Sequence, residues 1–471
     1  MIMSLDEYRF ILRRDFLSFL TRSFYVLNPQ SILLMSSYIE MIAAKLEACR
    51  LGKIKRLIIN VPPRYLKSHC ASIAFPAWCL GHDPSLSLIC VSYGQELTDK
   101  FSRDCRTLMQ SAVYRALFPT RLSDRQAVSD FMTMDQGVRF ATSVGGVLTG
   151  RGADIIIIDD PLKPDDALSE SRRTAANQWY QNTLLSRLND KMNGCIILIM
   201  QRLHQDDLVG HVIEREKWEV LSLPAIARED EAHLIDTPLG RRLYRRQAGE
   251  LLHPEREPLV TLQDMRRNIG EYNFESQYQQ NPTPIGGLLV KRGWLLFYTP
   301  GEQPAKFGRI VQSWDTANKA NELNDFSVCT TWGVLGRHFF LLDVFRARLN
   351  YPELKRKVVE HARQHSAKTI LIEDKASGTQ LIQDLQREIY GIKPYEPPPG
   401  MDKVMRLHAQ TAIFENGFVH LPSSAPWLDE YVAEITGFPG TKYDDQVDST
   451  TQALDYLREP DPLEIWAKLA G

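Results

Sequence analysis

Cysteine is scarce and without pattern in this 471-residue chain. The seven (Cys49, Cys70, Cys79, Cys90, Cys105, Cys195 and Cys329) are odd in number and never spaced C-x-x-C. Both facts argue against a disulfide framework and against a zinc site. Several lie inside apolar runs, SLSLICVSY and GCIILIM, where a thiol serves as a small buried hydrophobe. No apolar run approaches the roughly 18 residues that a membrane-spanning helix needs. The opening MIMSLDEYRFILRRDF carries charges among its apolar residues and lacks a small-residue cleavage site, which does not suit a secretory signal. Neither sign of charge dominates, since 56 Lys+Arg stand against 58 Asp+Glu, a formal net charge of −2. That balance excludes a polybasic tail and an acidic disordered scaffold, and leaves any nucleic-acid contact to local patches. The expectation is a cytoplasmic-type protein without a membrane segment.

What is present suits large globular units: 44% of residues are apolar, enough to bury real cores. Up to about residue 225, short β-rich apolar runs alternate with helical patterns. The runs are 57–61 (LIINV), 86–92 (LSLICVS), 155–158 (IIII) and 195–200 (CIILIM). Near-continuous apolar strands predict a mostly parallel sheet covered on both faces by helices, a doubly wound α/β architecture. From 225 to 305 the chain reads differently. The basic GRRLYRRQAGELLHPER and the Pro- and Gly-rich NPTPIGG predict an irregular closing segment and then a linker. From Arg309, three strand-like runs with Gly336 in a tight turn predict an antiparallel meander. A helix, the strand TILIED, a second helix from about 377 to 388 and an acid-opened helix DDQVDSTTQALDYL follow.

LIINVPPRYLKSHCAS is a strand, a loop ending Lys67-Ser68, and a helical pattern. A phosphate loop needs curled backbone N–H groups, a Lys for the β/γ-phosphates and a hydroxyl for Mg²⁺; Lys67 and Ser68 suit the last two roles. Leu66 stands where such loops carry glycine, and the expectation is a loop conformation that Leu tolerates, outside the left-handed region. The alternative for this segment is a plain strand–helix connection. GRGADIIIIDDP then places Asp159 and Asp160 at the carboxyl end of a buried strand, where open α/β sheets bind ligands. One carboxylate can hold Mg²⁺ while the next orients water, or the pair can simply end a strand in a turn. GCIILIMQRLHQDDLVG ends a further strand in Gln201, with His204, Asp206 and Asp207 behind it. Either a polar residue there senses the γ-phosphate, or Asp206 or Asp207 caps a helix.

A second set of acids lies later. Asp315 ends the strand QSWD, Glu373 ends LIED, and Asp444, Asp445 and Asp448 open the last helix. Carboxylates so arranged repel one another unless cations bridge them, and two Mg²⁺ or Mn²⁺ ions would serve a two-metal phosphodiester cleavage. Singly, each acid is equally a strand end or a helix cap.

In order, PPRYLKS, TGRGADIIIIDDP, IILIMQRLHQDDLVG, NFESQYQQNP, QSWDTANK, DFSVCTTWGV, ILIEDKASG, DKVMR and YDDQVDS resemble the large subunit of tailed-phage terminases, an ATP-driven DNA-packaging motor with a fused nuclease. The resemblance implies a RecA-like ATPase over 1–280 (core 50–225, closing segment 226–280), a linker over 281–305 and an RNase H-like nuclease over 306–471. It implies that Arg64, Lys67 and Ser68 form the phosphate loop, that Asp159 holds Mg²⁺, that Asp160 is the catalytic carboxylate, and that Gln201 couples hydrolysis to motion. Arg151 is then an arginine finger, or an anchor for its own loop. Asp315, Glu373 and Asp445 are the implied nuclease acids, with Asp444 and Asp448 as neighbours in register. ATP, Mg²⁺ and, in the nuclease, Mn²⁺ are the implied cofactors. Double-stranded DNA, a small subunit, a procapsid portal and a pentameric ring are the implied partners, in the host cytoplasm. Phosphate contacts are expected from Arg241, Arg242, Arg245, Arg246, Lys403 and Arg406, or these face solvent. A cellular helicase–nuclease and an inactive prophage DNA-binding remnant are the alternatives.

Overall fold

The computed structural model describes residues 4–238, 240–282, 289–316, 326–375, 377–441 and 443–458. Pro284 and the Gly286–Gly287 pair of the expected linker lie outside them, as do Asn318, Lys319, Asp325 and Ala376 of the motifs above. The chain divides into two compact units, Met1–Pro284 and Ile285–Gly471.

The first unit is built on an eight-stranded sheet of β1 (Arg56–Asn60), β2 (Ser87–Ser92), β3 (Leu122–Gln126), β4 (Asp130–Thr133), β5 (Val138–Ser143), β6 (Ile155–Asp159), β7 (Cys195–Met200) and β8 (Glu219–Ser222). The order is β3-β4-β5-β2-β6-β7-β1-β8, parallel from β5 to β8, with β3 and β4 added antiparallel at one edge. The apolar runs of β6 and β7 are buried along their whole length. Side-chain alternation explains why such runs carry no polar face. Ile157 and Ile197 enter the core beneath the N-terminal helices, while Ile156, Ile158, Ile196 and Leu198 enter the core on the opposite face. The strands thus hold Asp159 and Gln201 on a rigid platform.

The segment expected to be irregular is ordered. Residues 231–246 form a hairpin of β9 (Glu231–Thr237) and β10 (Gly240–Arg246), and helices Leu259–Ile269 and Glu271–Gln277 follow. Most of β10 faces solvent, so arginines occupy four of its seven positions and obscure the strand pattern. This also corrects the expectation for Arg246, one of the four arginines expected to meet phosphate. Arg246 is buried, grips Glu231 with two nitrogens at 2.9 and 3.2 Å and donates to the Pro224 carbonyl at 2.8 Å. Arg242 pairs with Glu40 and Arg241 with Asp236, and only Arg245 of the four has no ion pair among the described residues. Arg246→Ala is expected to cost about 3 kcal/mol, because Glu231 loses its buried partner; Arg245→Ala should leave the urea midpoint unchanged.

The second unit carries a seven-stranded sheet of β11 (Leu296–Tyr298), β12 (Arg309–Asp315), β13 (Ser327–Leu335), β14 (His338–Ala347), β15 (Thr369–Glu373), β16 (Ile392–Tyr395) and β17 (Val419–Pro422), in the order β11-β17-β14-β13-β12-β15-β16. The meander β12–β13–β14 is antiparallel, and Gly336 at φ 60° makes its second turn. Strands β15 and β16 extend it in parallel with β12, and β17 and β11 lie parallel to β14. Part of the expected linker belongs to this unit: β11 pairs with β17, and Leu289, Val290 and Leu295 are buried in its core. Gln312 bonds to the helix Tyr351–Gln364 through the His361 carbonyl, and the next residue, Ser313, bonds to Ser449 of the helix Asp445–Arg458. Successive strand residues point to opposite faces, so one helix covers each side of β12. Among the described residues no helix is long and apolar enough to cross a membrane.

Candidate functional site

Lys67 joins the carboxyl ends of neighbouring strands. It leaves β1 through the loop 61–68, lies buried, and sits 2.9 Å from Asp160 Oδ2, just past β6, while donating to Gln201 Oε1 at the end of β7. Arg64 is exposed at the loop's crest, and the buried Tyr65 anchors that crest through a 2.8 Å bond to Glu257. Leu66 overturns the expectation stated for it. Its φ is 58°, and Arg64 at 67° is left-handed too. Left-handed backbone costs a non-glycine residue about 1–2 kcal/mol. The Leu66 side chain packs against the N-terminal core, and burial of that kind contributes a comparable amount. Left-handed residues reverse the chain so that N–H groups turn toward one concavity, the form of an anion nest.

Asp159 is wholly buried. Ser72 Oγ donates to its Oδ2 at 2.7 Å, while Oδ1 has no hydrogen-bond partner. Burial, and then the charge of Asp160, hold its carboxyl above the usual range. A buried carboxylate oxygen without a donor is a place for a cation, so the residues fit the Mg²⁺ role inferred from sequence. Ser68 stands half-buried beside it and favours its charged form. Ser72 was not foreseen; its spacing from Lys67 marks only the next helical turn, a signal shared by countless helices. Asp160 is left-handed at φ 47°, which turns its carboxylate off the strand toward Lys67. Of the two readings of QRLHQDD, the helix cap is observed, at Asp207. Asp207 caps the helix Leu208–Ile213 and takes Arg202 at 2.9 Å, and His204 Nδ1 accepts from the Asp206 N–H, while Gln201 alone reaches Lys67. Arg151 is 2.8 Å from Asp130 and stacks over Phe140, so within this chain it anchors its own loop.

In the second unit Asp315, Glu373, Asp444, Asp445 and Asp448 line one cavity of about 280 Å³, with Lys375, Lys403 and Arg406. Reciprocal 2.7 Å bonds between Ser313 and Ser449 pin the last helix to β12, which sets its acids beside Asp315. Glu434 accepts from the Gln446 and Val447 N–H groups and so secures that helix's first turn. Gly378 is required behind Glu373, because a Cβ there would run into the Glu373 carbonyl.

The electrostatics call for a cation. Burial and then Asp448, Glu373 and Asp445 push the Asp315 carboxyl well above its ordinary value. Burial and Glu434 lift Asp445 to about 6. Asp448 is compensated by Lys403 at 2.6 Å and Arg406 at 2.8 Å, and Lys403 also meets Asp444 at 2.7 Å. Those two cations, expected to touch DNA, are therefore engaged within the cavity. Arg346 was not foreseen; it stacks over Phe326 and Tyr443 and lies 3.6 Å from Asp445. Carboxyls whose folded pKa is raised favour folding below that pKa and lose this contribution as pH rises through it. Chelated protein should thus be penalised here at about pH 7.5 but much less near pH 5. Saturating Mn²⁺ should stabilise the unit by about 2.7 kcal/mol at a hundredfold excess over its dissociation constant, and clearly less near pH 5. Equal thermal shifts at both pH values would contradict this reading.

Residues 312–457 match the family model described as the terminase RNase H-like domain. Over those residues the second unit is similar to the terminase RNase H-like domain. The large terminase of the thermophilic bacteriophage D6E in complex with ADP shares the fold at 10% identity, with a TM-score of 0.50, covering 87% of this chain and 98% of that one. Its complex with ATP-γ-S matches at 9% identity and TM-score 0.50, over 87% and 98%. A further crystal form matches at 9% and 0.50, over 88% and 99%. No curated protein sequence matches the chain. The resemblance to terminase large subunits drawn from sequence is supported over the nuclease-type unit by the family model. It is supported over most of the chain by a shared fold, a RecA-like ATPase fold followed by an RNase H-like fold.

Proposed function

We propose that this terminase relative is a DNA-packaging enzyme, in which ATP hydrolysis in the first unit drives double-stranded DNA into a procapsid and the second unit cuts it. What carries the reading is the convergence of charged groups from separate strands at the carboxyl end of each unit's own sheet. In the first unit Lys67 presents an ammonium to the β/γ-phosphates, Arg64 and the loop N–H groups surround them, and Ser68 and Asp159 would hold Mg²⁺. Asp160 takes the proton of the attacking water once ATP draws Lys67 away from it. Gln201, bonded to the same lysine, passes the loss of phosphate to β7. Arg151 serves its own loop, or a neighbouring subunit's nucleotide after release from Asp130. In the second unit Asp315, Glu373 and Asp445 would hold the cation pair, with Asp444 at the rim and Asp448 balanced by Lys403 and Arg406. Such cations activate water and stabilise the leaving oxygen. Lys375, exposed at the same cavity, meets the DNA phosphates without reading sequence.

A small subunit, a portal and a pentameric ring complete the proposed machine. The D6E enzyme's complexes with ADP and ATP-γ-S support the nucleotide part of this reading. The test is packaging itself, with purified chain, portal-bearing procapsids and ATP. Double-stranded DNA should become nuclease-protected only when all are present. Strand separation without protection would identify a helicase–nuclease instead.

A further inference from the structure

On the face of the second unit's sheet away from the helix Asp445–Arg458, three donor groups converge that the function above does not use. Asp343 follows a bulge in β14, where Thr331 faces Asp343 but Trp332 faces Leu341, leaving Leu342 as the extra residue. A bulge of this kind re-aims the side chains beside it. Strand β14 pairs with β17 only at Phe339 and Phe340, so Asp343 stands past the end of that pairing. His361 and His365 lie four residues apart, on one face at the end of the helix Tyr351–Gln364. His365 Nε2 is 3.2 Å and His361 Nδ1 is 3.9 Å from Asp343 Oδ2, and the three ligand atoms all lie within 4.8 Å of one another.

We propose that Asp343, His361 and His365 form a metal centre for a zinc-class divalent ion, separate from the acidic cavity. An Asp–His ion pair alone would leave the group half-explained. His361 is only 5% exposed and its Nδ1 has no hydrogen-bond partner, while His365 Nε2 has only the Asp343 carboxylate, at 3.2 Å. A cation takes a lone pair from each. Two imidazoles and one carboxylate are a zinc-type donor set, and metal–nitrogen bonds of about 2.0–2.1 Å put neighbouring ligand atoms roughly 3.3 Å apart. The Asp343–His365 separation already fits, and the His361 imidazole has to close in on the other two ligand atoms. The surroundings match a ligated site as well. Trp427 Nε1 donates to the other carboxylate oxygen, Oδ1, at 3.1 Å, which leaves Oδ2 turned to the imidazoles. Trp314 and Phe345 wall His361 with apolar rings. Asp343 and His365 remain partly exposed, leaving a fourth position for water. The scarcity of cysteine argued against a zinc site, but that argument reaches only thiolate donors. None of these three residues lines the acidic cavity. The ion would tie the helix Tyr351–Gln364 to the strand edge, beside the sheet that carries Asp315.

The test is Co²⁺ titration of chelator-treated full-length Asp315→Ala, which weakens the acidic cavity as a competing site. One equivalent should produce the intense visible absorption of four-coordinate, nitrogen-ligated Co²⁺, and Zn²⁺ should abolish it. Adding Asp343→Asn, which keeps the size of the side chain, should weaken binding at least tenfold, and His365→Ala should remove the band. Circular dichroism and gel filtration confirm that the variants are folded. Absence of the band in the Asp315→Ala protein, or its persistence in both added variants, would reduce the three residues to an ion pair with a buried imidazole and overturn the proposal.

Discussion

Lys67→Ala should lower DNA-stimulated ATP hydrolysis by about 10²–10³-fold or more, the effect of removing one preorganised charge from a phosphoryl-transfer site. Lys67 is buried at the meeting point of β1, β6 and β7, with Asp160 and Gln201 as its contacts, and its removal leaves nothing to neutralise the phosphates at that position. Nothing in the acidic cavity depends on it, so Mn²⁺-dependent DNA cleavage should stay within about twofold of wild type. Steady-state phosphate release and a plasmid-nicking assay measure the two activities. Wild-type hydrolysis in the variant would remove Lys67 from the reaction.

Asp315→Ala should have the opposite pattern. Cleavage should fall by about 10³-fold, corresponding to several kcal/mol of transition-state stabilisation, with hydrolysis unchanged. A second effect separates this variant from a damaged fold. Without cations Asp315 is a buried acid among acids, held far above its ordinary pKa. Its removal relieves repulsion, so in chelator the variant should melt no lower than wild type at about pH 7.5. Mn²⁺ should then stabilise it far less. A variant that loses cleavage together with its melting transition would point to structural collapse.

The elements that were legible in sequence are those governed by local pattern. Apolar runs announced β6 and β7 because both faces of each are buried, and Gly336 marked the turn of the meander. The acids at strand ends were visible for the same reason, since a carboxylate immediately after IIII or ILI stands where the strand emerges. What escaped was decided by contacts distant in sequence. Leu66 accepts left-handed backbone because the N-terminal core receives its side chain, which a motif read along the chain does not display. The basic run 240–246 hid a strand whose partner is the preceding segment and whose Arg246 answers Glu231 fifteen residues away. Lys403 and Arg406 read as a surface pair, yet the last helix brings Asp448 to both. Among Asp444, Asp445 and Asp448 the resemblance singled out Asp445 and left the register open. The ion pairs leave Asp445 the least compensated, with Arg346 at 3.6 Å and its carboxyl lifted to about 6.

The central claim is that one chain carries two independent charged centres. The most direct measurement is anomalous diffraction from crystals of the full chain soaked with Mn²⁺ and a non-hydrolysable ATP analogue. The account predicts Mn²⁺ peaks among Asp315, Glu373 and Asp445, and a further peak beside Asp159 with the triphosphate lying over Lys67. An ordered analogue bound elsewhere, or an acidic cavity without Mn²⁺ at saturating concentration, would contradict it.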